Sequence, residues 1–137
     1  MLQIKKRKDT VQGWRFMCTI CFYQDSRHDR SLYWIRQTLR CGYISKRKDN
    51  ITELRINGYT QCYQVLIMLK PFIRFKSNQV RALLKAITCL KDKRVSELSK
   101  HEKLNVLSCI TTIQKHNYQS SRKRSAKLLK KMLNLTP

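Results

Sequence analysis

The chain has 137 residues, room for one compact domain and not for two substantial ones. Thirty Lys and Arg stand against eight Asp and Glu, a formal charge of +22, and a field of that sign attracts polyanions, nucleic acid foremost. The excess is even, +11 over residues 1–76 and +11 over 77–137, so no detachable basic tail explains it. With 42% hydrophobic residues the composition is that of a folded chain and not of a disordered polycation, while three glycines and two prolines argue against a phosphate-cradling loop and hence against nucleotide hydrolysis. The longest apolar run, Val65 to Leu69, falls far short of the ~20 residues of a spanning helix, and the lysine-rich start has no apolar signal-peptide core. An intracellular protein with no membrane partner is expected. Among the cysteines only Cys18 and Cys21 are closely spaced, with no second pair to complete a zinc site; Cys41, Cys62, Cys89 and Cys109 lie among apolar neighbours, so free, reduced core thiols are expected.

In chain order, Leu2 and Ile4 alternate with Gln3, Lys5 and Arg7, the period of a half-buried strand. A turn at Asp9 to Gly13 leads into a long strand with Trp14, Phe16, Cys18, Ile20 and Phe22 on one face and Arg15, Met17, Thr19, Cys21 and Tyr23 on the other. Asp29 or Ser31 is placed to cap a helix carrying Leu32, Ile35 and Leu39, closed by Cys41-Gly42. The pattern then recurs. Tyr43, Ser45 and Arg47 alternate against Ile44, a polar turn covers Lys48 to Asn50, and Glu53 and Arg55 alternate against Leu54 and Ile56. Thr60 to Leu69 reads as a short helix stopped by Pro71. Beyond it, Ser77 is placed to cap a helix with Val80, Leu83, Leu84 and Ile87; Ser99 and Glu102 form a capping-box pair before Leu104, Leu107 and Ile110; and Ser120 to Leu133 combines leucines with lysines. The expected fold is α+β: a four-stranded antiparallel sheet in a ββαββα unit with C-terminal helices. It forms one domain over 1–137, with a sheet core over 1–76 and a helical extension over 77–137.

The solvent side of that sheet would carry Gln3, Lys5, Arg7, Arg15, Tyr43, Ser45, Arg47, Glu53 and Arg55. Planar donors, acceptors and cations together suit base edges in a B-DNA major groove, where each bidentate Arg–guanine or Gln–adenine contact discriminates by ~1–3 kcal/mol. An ordinary solvated sheet face has the same alternation; the charge weighs toward binding. The terminal run that includes Arg122, Lys123 and Arg124 fits a phosphate anchor, which positions without reading sequence. Catalytic groups are scarce. The eight acids show no paired arrangement for a metal, and Gln24, His28 and Lys76 are polar groups at element ends.

The stretches "FMCTICFYQDSRHDRSLYWIRQTL", "CGYISKRKDNITELRING" and "LIMLKPFIRFKSNQVRALLKAI" resemble the LAGLIDADG homing endonucleases, above all the single-motif kind that acts as a homodimer. The run Leu69, Pro71, Phe72, Arg74, Lys76 and Gln79 is similar to the family's second-half signature in order and spacing. The resemblance implies a saddle-shaped sheet along double-stranded DNA and a site-specific, Mg2+-dependent phosphodiester hydrolase, intron-encoded, in a bacterial cytoplasm, chloroplast or mitochondrion. It also implies catalytic roles for Gln24 and Lys76, with His28 near the place of a further basic residue. The family's namesake helix, which supplies the metal-binding acid and the dimer contact, has no counterpart in the 137 residues. The expectation is therefore a chain that binds better than it cuts, completed by a homodimer partner or a complementing fragment, with Trp14, Phe16 and Ile20 left uncovered. The competing readings are a non-catalytic relative that binds DNA or intron RNA, as a maturase or regulator, and a generic basic structural protein.

Overall fold

The computed structural model describes residues 1–9, 12–117 and 124–135. Strands β1 (Leu2–Lys6) and β2 (Trp14–Asp25) precede helix α1 (Arg30–Leu39). Strands β3 (Tyr43–Lys46) and β4 (Ile51–Asn57) precede α2 (Tyr59–Leu69), and α3 (Ser77–Leu90), α4 (Lys100–Lys115) and α5 (Ala126–Met132) follow. The strands form one antiparallel sheet in the order β1-β2-β4-β3, the expected ββαββα unit with helices after it. β2 is the hub. Its residues Trp14–Cys18 pair with β1 and Thr19–Asp25 with β4, so the two hairpins are offset along it. At ~3.4 Å per residue its 12 residues reach about 40 Å.

Alternation sends Leu2, Ile4, Phe16, Cys18, Leu54 and Ile56 to the inner face, where all are buried. Of these, Leu2, Ile4, Phe16, Cys18 and Ile56 form one cluster with Val65 of α2, Leu83 and Ile87 of α3, Val106 and Ile110 of α4, and Leu129 of α5. Residues beyond 76 therefore fill the same core as the sheet. Trp14 and Phe16, expected to lie uncovered, are 8% and 3% exposed, packed edge to face with ring centroids 5.3 Å apart, and the Tyr59 hydroxyl donates to the Phe16 carbonyl. Ile20 is only half-buried. All six cysteines are free; Cys18, Cys62 and Cys109 are buried, and Cys41 and Cys89 pack against the core's edge.

Helix starts depart from expectation in two places. Asp29 occupies the N-cap position of α1 without capping it: its carboxylate accepts from Thr52 Oγ1 and pairs with Lys46, while Ser31 lies inside the helix. Asp25 instead caps the 3-10 turn Ser26–His28 by accepting from the Arg27 N–H. Ser77 does not cap α3, because Lys76 takes the N-cap place in a left-handed conformation, φ +63°. The Ser99–Glu102 box forms as read: the Ser99 hydroxyl accepts from the Glu102 N–H and the Glu102 carboxylate from the Ser99 N–H. Gly42, at φ +87°, is required twice over, since a Cβ there would lie 2.8 Å from the Arg55 carbonyl oxygen.

Candidate nucleic-acid interface

Directly paired residues of an antiparallel sheet point to the same face, so the register lays out the solvent side row by row. Lys5 lies opposite Arg15 and Gln3 opposite Met17. Thr19 lies opposite Asn57; Cys21, Arg55 and Tyr43 form the next row, and Tyr23, Glu53 and Ser45 the one after. Arg7 and Arg47 continue the alternation past the ends of β1 and β3, each donating its backbone N–H across the hairpin, to Gly13 and Ile51. The nine residues expected on this face thus share it. Tyr23, 55% exposed, and Asn57 share it too; neither was among the expected contacts, although the alternation that selects Arg15 and Arg55 selects them equally. Asn57 accepts from the Thr19 hydroxyl and donates to the Tyr43 hydroxyl of the next row, so two adjacent rows are tied together across three strands.

Glu53 is the exception in depth. Its side chain is 1% exposed, and its two carboxylate oxygens accept from Arg47 Nη1 at 2.9 Å and from Arg55 Nε at 2.5 Å. The Arg55 hydrogen bond foremost, opposed by burial and reinforced by Arg47, holds this carboxyl below the usual carboxylate range. Glu53 therefore orients two arginines and presents no acceptor of its own to solvent. Arg55 keeps both terminal nitrogens without a hydrogen-bond partner among the described residues, a fork of the geometry that suits the O6 and N7 of guanine.

The terminal basic run divides. Arg122 and Lys123 lie outside the described residues. Arg124 donates Nη1 to the Ile4 carbonyl at 2.7 Å, fastening the approach to α5 onto the edge of β1.

Of the residues at element ends, Lys76 lines a pocket of about 340 Å3 with Thr19, Cys21 and Tyr23 of β2, beside the stretch of that strand that β1 leaves unpaired. Gln24 lies near the end of β2, opposite Thr52 and on the other face from Tyr23, and His28 sits exposed in the 3-10 turn that follows. Neither lines that pocket, and no hydrogen bond or ion pair joins the three.

The carboxylates do not fit a resident divalent cation. Asp9, Asp25 and Asp49 are held by Arg7, Arg27 and Arg47; Glu53 is held by two arginines; Asp29 and Asp92 face Lys46 and Lys91. Glu97 and Glu102 cap helical turns. No three His, Cys, Asp or Glu converge among the described residues, whereas Mg2+ needs oxygen ligands gathered at one point.

No family model matches the chain. It is 27% identical over 85 residues to the DNA endonuclease I-CvuI of Chlorella vulgaris, a match covering 62% of this chain and about half, 53%, of that relative. The solved structure of I-CvuI in complex with the I-CreI target superposes over 97% of this chain and 82% of its own, with a TM-score of 0.78 at 20% identity. An archaeal intron-encoded homing endonuclease, I-Vdi141I, complexed with DNA covers 97% of this chain and 84% of its own, with a TM-score of 0.79 at 16% identity. The I-SmaMI LAGLIDADG homing endonuclease bound to cleaved DNA covers 100% of this chain with 45% of its own, with a TM-score of 0.77 at 16% identity. The resemblance carried by the motifs of the sequence is thereby borne out, and the fold of this chain is that of the LAGLIDADG homing endonucleases.

Proposed function

We propose that this chain is the DNA-recognition body of a homing endonuclease of the LAGLIDADG type, its sheet lying in the major groove of a double-stranded target. The observation that carries the reading is the single solvent face on which Gln3, Lys5, Arg15, Tyr43, Ser45 and Arg55 stand in register across four strands. A face about 40 Å long matches roughly one turn of B-DNA, which advances ~34–36 Å. Lys5, Arg7 and Arg15 at one end and Arg47 and Arg55 toward the other supply positive charge along that length, while Gln3, Tyr43 and the Arg55 fork offer groups that tell bases apart.

Cleavage belongs to the whole-protein reading. One of the similar I-CvuI structures holds uncleaved DNA with magnesium present and another was solved with calcium, which favours a divalent cation as cofactor of the intact enzyme. The carboxylates described above do not form its site, so no chemical step is assigned to them. Gln24, His28 and Lys76 are proposed as groups bordering the scissile phosphates, with Lys76 the one the pocket beside β2 supports most directly. Assembly with a second copy or a complementing fragment is part of the same proposal.

The test is selection from a randomised duplex pool at fixed salt, followed by competition with folded RNA. The expected result is an enriched sequence bound in preference to RNA, and Arg55→Ala should cost ~1–3 kcal/mol with relaxed preference at one base pair only. Tighter binding to RNA would favour the maturase reading, since the deep, narrow RNA major groove does not admit a sheet. Affinity without any preferred sequence would leave only a generic basic binder.

A further inference from the structure

The two hairpin turns at opposite ends of the sheet open with the same four residues and hold the same side-on Arg–Asp pair. Lys6-Arg7-Lys8-Asp9 joins β1 to β2, and Lys46-Arg47-Lys48-Asp49 joins β3 to β4. In the first, Arg7 donates Nε and Nη2 to the two oxygens of Asp9 at 2.7 and 2.6 Å. In the second, Arg47 donates Nε and Nη2 to the two oxygens of Asp49 at 3.0 and 2.6 Å. Because β2 and β4 are antiparallel along Thr19–Asp25, the turns close opposite ends of the same face. Both pairs are solvated, the arginines 39% and 47% exposed and the aspartates 60% and 52%.

A carboxylate that takes an arginine side-on through two parallel N–H groups occupies the fork a phosphate would take. Solvated pairs of this kind contribute only ~0.2–1 kcal/mol each, so a duplex can displace them. We propose that Asp9 and Asp49 are built-in competitors for the DNA backbone: each holds its arginine until a phosphate lies close enough at both ends of the sheet to replace the carboxylate. A duplex that seats fully on the face opens both turns, whereas one held loosely opens neither, so the two acids raise discrimination at the expense of general affinity. A third pair, Arg27 with Asp25, is of another kind, because that carboxylate also accepts the Arg27 N–H and so caps a helical turn.

This inference rests on the DNA-binding reading and deepens it. The experiment measures salt-dependent binding of the full chain to a mixed-sequence duplex and to the selected duplex, for Asp9→Asn, Asp49→Asn and both together. Asp92→Asn adds the same charge outside both turns, at a residue whose carboxylate pairs with Lys91, and controls for net charge. Each turn variant is expected to bind mixed sequence about two- to fivefold more tightly and to steepen the log–log salt slope by about 0.9. The double variant should add both effects and lose discrimination, while Asp92→Asn leaves the slope unchanged. In an Arg7→Ala or Arg47→Ala background the neighbouring Asp→Asn change should have no more effect than Asp92→Asn. Equal slopes for Asp49→Asn and Asp92→Asn, or gains that persist without the arginine, would overturn the competitor role and leave DNA recognition standing. Failure of the unaltered chain to bind any duplex would sink both.

Discussion

Glu53 holds two guanidinium groups with one carboxylate while making almost no contact with solvent. Glu53→Gln preserves the shape and removes the charge. The amide keeps one oxygen as acceptor and presents its NH2 to the other guanidinium, so the two arginines share a single neutral acceptor while Arg47 still holds Asp49. Because both arginines are more than a third exposed and screened by water, the expected loss is about 1–2 kcal/mol and not the larger cost of a fully buried pair. The pH dependence has a definite sign. The folded carboxyl titrates below its ordinary value of 4.5, so its contribution is complete above that value and disappears as pH falls through the lower, folded-state titration. Urea titrations should therefore separate the variant from the parent at pH 7 and bring the two together under strong acid; a constant gap across that range would show that shape and not charge is at work. Alternation in the sequence placed Glu53 on the correct face and could say nothing of its depth. The residues that cover it stand two positions after and six before it, and only the hairpin's register brings both arginines over one carboxylate.

At the scale of elements, the periods of 2 and 3.6 located the four strands and the helices α1 to α4, because most of them bury one face against a shared core. Helix starts were legible only where the cap is a closed local device. Ser99 and Glu102 satisfy each other's backbone and need nothing from elsewhere; Asp29 is drawn away by Thr52 and Lys46, partners distant in sequence. Removing the local cap should thus cost what a helix cap costs: Ser99→Ala is expected to lose ~1 kcal/mol, read as a drop in the urea midpoint with unchanged m-value. Gly42→Ala is a sterner change, since the added methyl meets the Arg55 carbonyl at 2.8 Å in a left-handed backbone that alanine resists. A loss above about 2 kcal/mol should follow, together with weaker DNA binding, because the backbone that shifts is the one that carries Arg55. Unchanged affinity in a folded Gly42→Ala protein would mean that the Arg55 fork is not held by this junction. The candidate catalytic groups show the limit of the same reasoning. Spacing put Gln24, His28 and Lys76 at element ends, but only the folded chain shows that Lys76 alone reaches the pocket beside β2.

For the whole molecule, charge sets stability and binding against each other. Eight carboxylates can neutralise only eight of thirty cations, and a net charge of +22 on a 16.4 kDa body leaves the folded state repelling itself. Salt screens that repulsion within about 8 Å at physiological ionic strength, so added sodium chloride should raise the thermal midpoint. The same salt competes for DNA phosphates: a face that engages six to ten of them loses ~10^3 to 10^5 in affinity between 50 and 200 mM. The two responses must run in opposite directions if the charge serves a partner and not the fold. Calorimetry and fluorescence anisotropy on one series of salt concentrations would test this. A midpoint that falls with salt would mean that the solvated ion pairs, Arg7–Asp9 and Arg47–Asp49 among them, outweigh the general repulsion. In that case the basic face is held together by its own acids more firmly than exposures of 39–60% allow.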